Sequence, residues 1–420
     1  MNDAIAQGGP TGFETTYLKR QLKRVEREKK LVAFGLMLPA LLYMVANFVV
    51  PVGVILFKSV DDRGVSTVLH RTSAAIADWA GGELPDESVY AALVADLKKS
   101  EPARTTHIAA KRLNSAKTGY QALLKQTARR VSKMDAIAPG AAKETLLGID
   151  KRWADSAYWA TIKRTANPVT PVYLLSAVDL TLNEGGDIVR SPEYMRVYNK
   201  VWVRTFWMST IITLLCLAMG YPVAYEMAHA RPRVANVMIV LVLVPFWTSL
   251  LVRTTAWVVL LQNEGVLNDF GLWAGWWAER VQLIHNRFGV YVAMSHILLP
   301  FMVLPLYAIM RRIPPDYMRA AKSLGANPLA AFLKVYVPLT RHGVGAGALF
   351  VFILAAGFYV TPELVGGSRD QMISYFIAFY ADETLNWGAA AALSALLLLL
   401  TAAMFFLMNV LFGINKMKMQ

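Results

Sequence analysis

Six apolar runs divide the chain, at 31–57, 206–228, 235–261, 288–310, 344–361 and 389–413. Each is long enough, or nearly so, to cross a bilayer as a helix, which takes about 20 residues at 1.5 Å each. The polar stretches between them are short, except over 61–200, where a long mixed segment intervenes. The first run follows a polar stretch that includes KRQLKRVEREKK, lies too deep and runs too long for a cleaved signal peptide, and is expected to stay as a helix. The fifth is the shortest and carries Gly343, Gly345, Gly347 and Gly357, small residues that let neighbouring helices approach closely. The pattern predicts an all-α polytopic membrane protein of about six transmembrane helices.

The 61–200 segment predicts a separate helical layer outside the membrane. From Ser100 onward, Ile108, Leu113, Ala116, Tyr120, Leu123, Thr127, Val131 and Met134 share one helix face, with Pro102 in the first turn. A break at 138–140 precedes a second helical stretch marked by Leu146, Leu147, Ile149, Trp153, Ala157 and Ile162. The expectation is an antiparallel hairpin whose first arm is on the order of 50 Å long, acting as a spacer or as a docking element.

Charge sets the orientation. Lys and Arg number seven in 1–30, two in 229–234, six in 311–343 and two in 414–420, against two in 262–287 and one in 362–388. The positive-inside rule places the 1–30 tail, the 313–343 loop and the 414–420 tail in the cytoplasm. The insert is exempt from that count, because long domains translocate largely regardless of charge.

Composition narrows the chemistry. With 55% hydrophobic and 17% charged residues, the net charge of +14 sits beside the apolar runs and carries no nucleic-acid recognition motif. The single Cys216 excludes a disulfide within the chain and a multi-cysteine metal site. The six histidines, at 70, 107, 229, 285, 296 and 342, show no paired ligand spacing, so no metal site is expected. No GxxxxGK[ST] loop is present, so any ATP is bound elsewhere.

One polar stretch interrupts this apolar chain: RAAKSLGANPLAAFLKVYVPL, residues 319–339. Ala320, Ala321, Leu324, Leu329, Phe332, Leu333 and Tyr336 recur at helical steps, while Gly325, Asn327 and Pro328 mark a break between two short helices. A helix–Gly–helix element can fit a partner's groove and carry rigid-body motion into the membrane. Within the spans, Glu226 and Arg253 are costly unless they face water or a partner, although Glu226 lies near an end and can snorkel. Trp247, Trp257, Trp273, Trp276 and Trp277 read first as interfacial anchors. Glu363 is either a pathway carboxylate for a cationic solute or a solvated loop residue.

The spacing Arg319-Ala320-Ala321, three residues, Gly325, nine residues, Val335, one residue, Val337-Pro338 resembles the EAA loop of ABC-importer permeases. GYPVAY (220–225), PFWTSLLVRT (245–254), NRFGV (286–290), LLPFMVLPLYAIMRRI (298–313) and VTPELVGG (360–367) are similar to the spermidine/putrescine-type permeases. The resemblance covers the first span and roughly 200–413, and leaves the insert outside it. It implies a type I ABC-importer permease of the bacterial inner membrane, with a periplasmic insert and a permease core over 201–413. Its implied partners are a second permease, two ATPase subunits holding ATP and Mg, an external solute-binding protein, and a small polyamine-like or other amino-bearing solute. This chain itself would be no enzyme and hold no cofactor.

The same resemblance implies coupling to the ATPase through Arg319, Ala320, Ala321, Ser323, Leu324, Gly325, Val335 and Pro338. It implies a solute pathway through Trp247, Thr248, Arg253, Tyr359 and Glu363. Three positions depart from the family. Arg319 stands where Glu is usual and Ser323 where Asp is common, so a charge partner on the ATPase must differ or be absent. Phe358-Tyr359 lacks the acid that polyamine-type relatives often carry there. An ion-coupled secondary transporter or channel is the alternative, but the spans offer few ionisable groups and no evident paired broken helices. A membrane anchor for the external segment would leave the 319–339 element without a purpose.

Overall fold

The structure, a computed structural model, describes residues 12–134, 138, 140–183 and 187–412. Those residues are predominantly helical, with one small hairpin in which β1 (Leu180–Leu182) pairs antiparallel with β2 (Ile188–Arg190). The chain divides into two units between Phe57 and Lys58. The first is a helix, Gly12–Met44, that continues through a π-helical turn, Val45–Val49, into Val50–Lys58. Its 34-residue segment from Val25 to Lys58 contains an 18-residue stretch of mean hydropathy 2.3 and is long and apolar enough to span a membrane.

The second unit opens with the insert, which is a compact helical body and not a two-armed hairpin. The expected first arm breaks twice. Pro102 lies in a turn between the Glu87–Ser100 and Thr106–Ala116 helices, not in a helical first turn. The second break falls at Gly119, whose φ of 99° is left-handed backbone. There Asn114 Oδ1 accepts from the Gly119 and Gln121 N–H groups at 3.0 and 3.2 Å, and the helix restarts as Tyr120–Ser132. The second arm breaks at Asp150 and Asp155, which accept from the Arg152 and Ala157 N–H groups and so start a 3-10 turn and the Ser156–Ala166 helix. Of the expected common face, Leu113, Tyr120, Leu123, Thr127 and Val131 are fully buried, around Trp153 and Trp159, onto which the chain folds back, whereas Ile108 and Met134 are exposed. The polar tips of this core are paired: Trp153 Nε1 donates to Thr127 Oγ1, and Trp159 Nε1 and the Tyr90 hydroxyl donate to the Trp153 carbonyl, each at 3.0 Å. Backbone bonds of 2.9 Å close its base, from Asp62 N to Pro168 O and from Thr170 N to Val60 O.

The last residues of 61–200 already belong to the next helix, Tyr198–His229. Buried Asp179 holds its start, accepting from the Val197, Tyr198 and Asn199 N–H groups at 3.0, 2.9 and 2.8 Å. Tyr198–His229, Arg287–Met310 and Arg341–Gly357 pack together around Met208, Ile212, Met294, Met302, Val303 and Val351. Close approach of the third of these depends on missing side chains. A Cβ at Gly345 would lie 2.6 Å from Phe412 Cβ, and one at Gly347 2.7 Å from Met302 Sδ.

Among the described residues four helices are long and apolar enough to cross a membrane, or six if each of two bent pairs counts as one span. The unbroken ones are Val25–Lys58, Glu193–His229, Arg287–Met310 and Trp387–Phe412. The run at 235–261 is not one straight helix. Pro232–Trp247 and Leu250–Trp273 meet at 94°, because Pro245 has no N–H to continue the ladder and Ser249 Oγ starts a new helix by accepting from Val252 N at 3.2 Å. The run at 344–361 also crosses a break, since Arg341–Gly357 ends before Phe358 and Val360–Val365 is a separate helix. Pro328–Leu339 meets Arg341–Gly357 at 61°. Two bent elements therefore exist where the apolar pattern showed none: hydropathy registers composition, not backbone direction.

Candidate functional site: the 316–340 element and the bent span

The Asp316–Ser323 helix ends at Gly325, whose φ of 88° is left-handed. Gly325 N donates to Lys322 O at 3.0 Å and Ala326 N to Ala321 O at 3.1 Å, which satisfies two of the final carbonyls. Asn327 Oδ1 accepts from Ala330 N at 2.7 Å, and Pro328 occupies the first position of the following helix. The outer face exposes Tyr317, Ala320, Leu324, Leu329 and Leu333, with Leu324 88% exposed. Arg319, Ser323, Gly325 and Pro338 are exposed beside them, whereas Ala321 and Val335 are half-buried. Arg319 has its carboxylate within the same helix: its guanidinium donates to Asp316 Oδ1 at 3.2 Å, with side chains 76% and 80% exposed. Such a pair contributes a few tenths of a kcal/mol.

The inner face is aromatic. A π-helical turn, Phe332–Tyr336, sets Phe332 and the 2%-exposed Tyr336 against the end of Tyr198–His229. The Tyr225 ring centroid lies 5.2 Å from Tyr336 and 5.6 Å from Phe332, and His229 lies 5.6 Å from Tyr336. Tyr221 and Thr340 share a hydroxyl hydrogen bond of 3.0 Å, and Arg311 Nη1 donates to Ala228 O at 3.1 Å. The exposed element is thereby fastened to a membrane helix. Tyr221, Tyr225 and His229 recur every four residues on one helix face, a visible signal, but only folding reveals what that face meets.

The residues expected to line the pathway lie at or near the two breaks. Trp247, 78% exposed, and Thr248 occupy the bend, where the Thr248 hydroxyl donates to Pro245 O at 2.8 Å. Arg253 is half-buried with its guanidinium 5.8 Å from the Phe246 ring centre, and Phe246 in turn packs 5.1 Å from Phe301. Arg253 Nε is buried without a hydrogen-bond partner. One residue on, Thr254 and Thr361 share a fully buried hydroxyl bond of 3.0 Å, which ties Leu250–Leu261 to Val360–Val365. The latter helix carries the exposed Glu363 and follows the partly exposed Tyr359. Trp257 Nε1 donates to His296 Nδ1 at 3.2 Å. Arg253, Tyr359 and Glu363 thus sit on or beside two elements that touch. His296, Phe301, Thr254 and Thr361 carry no one-dimensional signal that would have linked them to this region.

The family described as binding-protein-dependent transport system inner membrane component matches residues 194–413. The spermidine/putrescine transport system permease protein PotB of Haemophilus influenzae is 31% identical over 255 residues, which is 59% of this chain and 88% of that protein. PotB of Escherichia coli is 34% identical over 198 residues, 47% of this chain and 72% of its own length. A chain of a solved bacterial alginate ABC transporter, in complex with an alginate pentasaccharide-bound periplasmic protein, is similar at 16% identity and a TM-score of 0.43, over 51% of this chain and 77% of that one.

Proposed function

The chain belongs to the binding-protein-dependent transport system inner membrane components and is the permease subunit of an ABC importer; we propose that it forms half of a translocation pathway for a small polyamine-like cation. The similarity to permeases named for spermidine and putrescine supports the cargo class. The complex would hold a second permease, two ATPase subunits carrying ATP and Mg, and an external binding protein that delivers the solute. Both termini and the 313–343 element face the cytoplasm in this reading, and the insert faces the periplasm, in keeping with the Lys and Arg distribution.

The observation that carries the reading is the 316–340 element. Its exposed apolar face offers Tyr317, Leu324, Leu329 and Leu333 to an ATPase groove, while its inner face is locked by rings to Tyr198–His229. A rigid-body shift of the ATPases then moves that helix directly, because packed rings repack in steps and do not deform smoothly. In the pathway, Trp247 and Tyr359 present aromatic faces and Glu363 a carboxylate, groups that attract ammonium. Arg253, a like charge, opposes a long dwell of the cation beside it. Ion-coupled transport is not favoured, because the family match stands against it.

Copurification and uptake test this. The tagged chain should bring down an ATPase and a second permease, and proteoliposomes of that complex with the binding protein should accumulate labelled spermidine only with ATP inside. Uptake driven by an ion gradient without ATP would overturn the reading; ATP-driven uptake of neutral sugars alone would overturn the cargo class.

A further inference from the structure

A cavity of about 450 Å³ opens where the 316–340 element joins the membrane helix Arg341–Gly357. Three nitrogen-bearing side chains line it, Lys334, Arg341 and His342. Among the described residues no carboxylate pairs with Lys334 or Arg341, and His342 Nδ1 is buried without a hydrogen-bond partner. The remaining wall is mainly Val335, Pro338 and Leu339, with Tyr317 at one side. Two exposed cations, unpaired among the described residues, therefore rim an apolar slot beside a buried imidazole nitrogen that has no partner. An anion from outside suits this rim, because the two cations attract it and the buried His342 nitrogen, which costs free energy while unpartnered, gains a polar neighbour.

We propose that this cavity binds an anionic membrane phospholipid, its phosphate between Lys334 and Arg341 and the upper part of an acyl chain along Val335, Pro338 and Leu339. The position selects lipid over a free anion. Arg341 is the first residue of Arg341–Gly357, part of a bent pair apolar enough to cross a membrane, and a basic residue at the end of such a span favours the headgroup region, while an apolar wall has no use for inorganic phosphate. Because Val335 and Pro338 also belong to the proposed coupling element, an occupied slot braces that element against the membrane helix. The proposal rests on the cytoplasmic placement above only for which leaflet supplies the lipid.

The test uses the whole complex in nanodiscs of phosphatidylcholine doped with phosphatidylglycerol, which present the same lipid on both faces, so an inverted orientation cannot hide binding. Phosphatidylglycerol retained in native mass spectrometry, and its stimulation of ATP hydrolysis, are measured for wild type, Lys334→Gln, Arg341→Gln, the double variant and Arg341→Lys. Each lost cation should weaken retention about fivefold, and the double variant about 25-fold, from the usual value of a basic residue at an anionic surface. Arg341→Lys should stay near wild type. Unchanged retention in the double variant overturns the site. If millimolar inorganic phosphate displaces the lipid as effectively as added phosphatidylglycerol does, the slot is a free-anion site and the lipid assignment fails. Failure of the wild-type chain to bring down an ATPase is scored separately and overturns the functional reading, since retention is also read on the permease alone.

Discussion

Gly325 is where backbone geometry, not side-chain contact, bears most directly on coupling. Its φ is 88°, and nothing lies within 4 Å of the position a Cβ would take. A substitution there cannot act by clash; its whole cost is that of a left-handed residue. That cost is about 1–2 kcal/mol for an ordinary L-residue, larger for a β-branched one and smaller for Asn. If the turn opens instead, the bonds from Gly325 N to Lys322 O and from Ala326 N to Ala321 O are lost, and the Asp316–Ser323 helix re-aims. A penalty of 1–2 kcal/mol corresponds to about a 5- to 30-fold smaller population of the docking geometry. Gly325→Asn, Gly325→Ala and Gly325→Val should therefore lose ATP-driven uptake in that order, with Gly325→Val retaining membrane insertion and basal hydrolysis. The assay is uptake per ATP hydrolysed in proteoliposomes, with copurified ATPase measured in parallel. Wild-type coupling in Gly325→Val would refute the reasoning, as would Gly325→Asn failing as completely as Gly325→Val, because only the backbone argument separates them.

Arg319→Glu replaces a pair with Asp316 by two like charges one turn apart and should reduce coupling modestly and in a salt-dependent way, whereas Ala321→Trp, at a half-buried position, should abolish ATPase copurification; the reverse ranking would mean that the element docks by charge. Residues 63–167 can be replaced by a short Gly/Ser turn because Asp62 N and Pro168 O are already bonded at 2.9 Å, with Asp62→Asn added since its partner Arg112, 2.6 Å away, is removed. That variant should keep its ATPase but capture less binding protein in a pull-down, and unchanged capture would leave the insert as a spacer. The Asp61 carboxyl, bonded to Arg63 and then Lys58, is held at about 2, against 3.8 ordinarily, despite its burial. Its folded value lies below the unfolded one, so its stabilisation is full above the ordinary carboxylate range and is lost as pH falls through about 2. Thermal unfolding followed by tryptophan fluorescence should show a steeper loss between those values for wild type than for Asp61→Asn.

The apolar runs, the polar interruption at 319–339 and the Lys and Arg distribution are properties of the chain in one dimension, and they determine that it is a helical membrane subunit with a helix–Gly–helix element. Gly325, Asn327 and Pro328 act on their own neighbours, so that turn was legible before any tertiary contact. The insert was legible only as a face: Tyr120, Leu123, Thr127 and Val131 are buried as their spacing requires, yet the spacing does not register that Gly119 reverses local backbone and folds the face around Trp153. The bend at Pro245–Ser249 escaped for the same reason, because apolar residues on either side of a 94° corner sum to the same hydropathy as a straight span. Partners at long sequence separation were invisible in principle. Tyr225 with Tyr336, Thr254 with Thr361 and Asp179 with the start of Tyr198–His229 meet only because helices pack in three dimensions, and the burial of apolar surface that drives this packing is non-directional, so it leaves no local mark of which residue meets which.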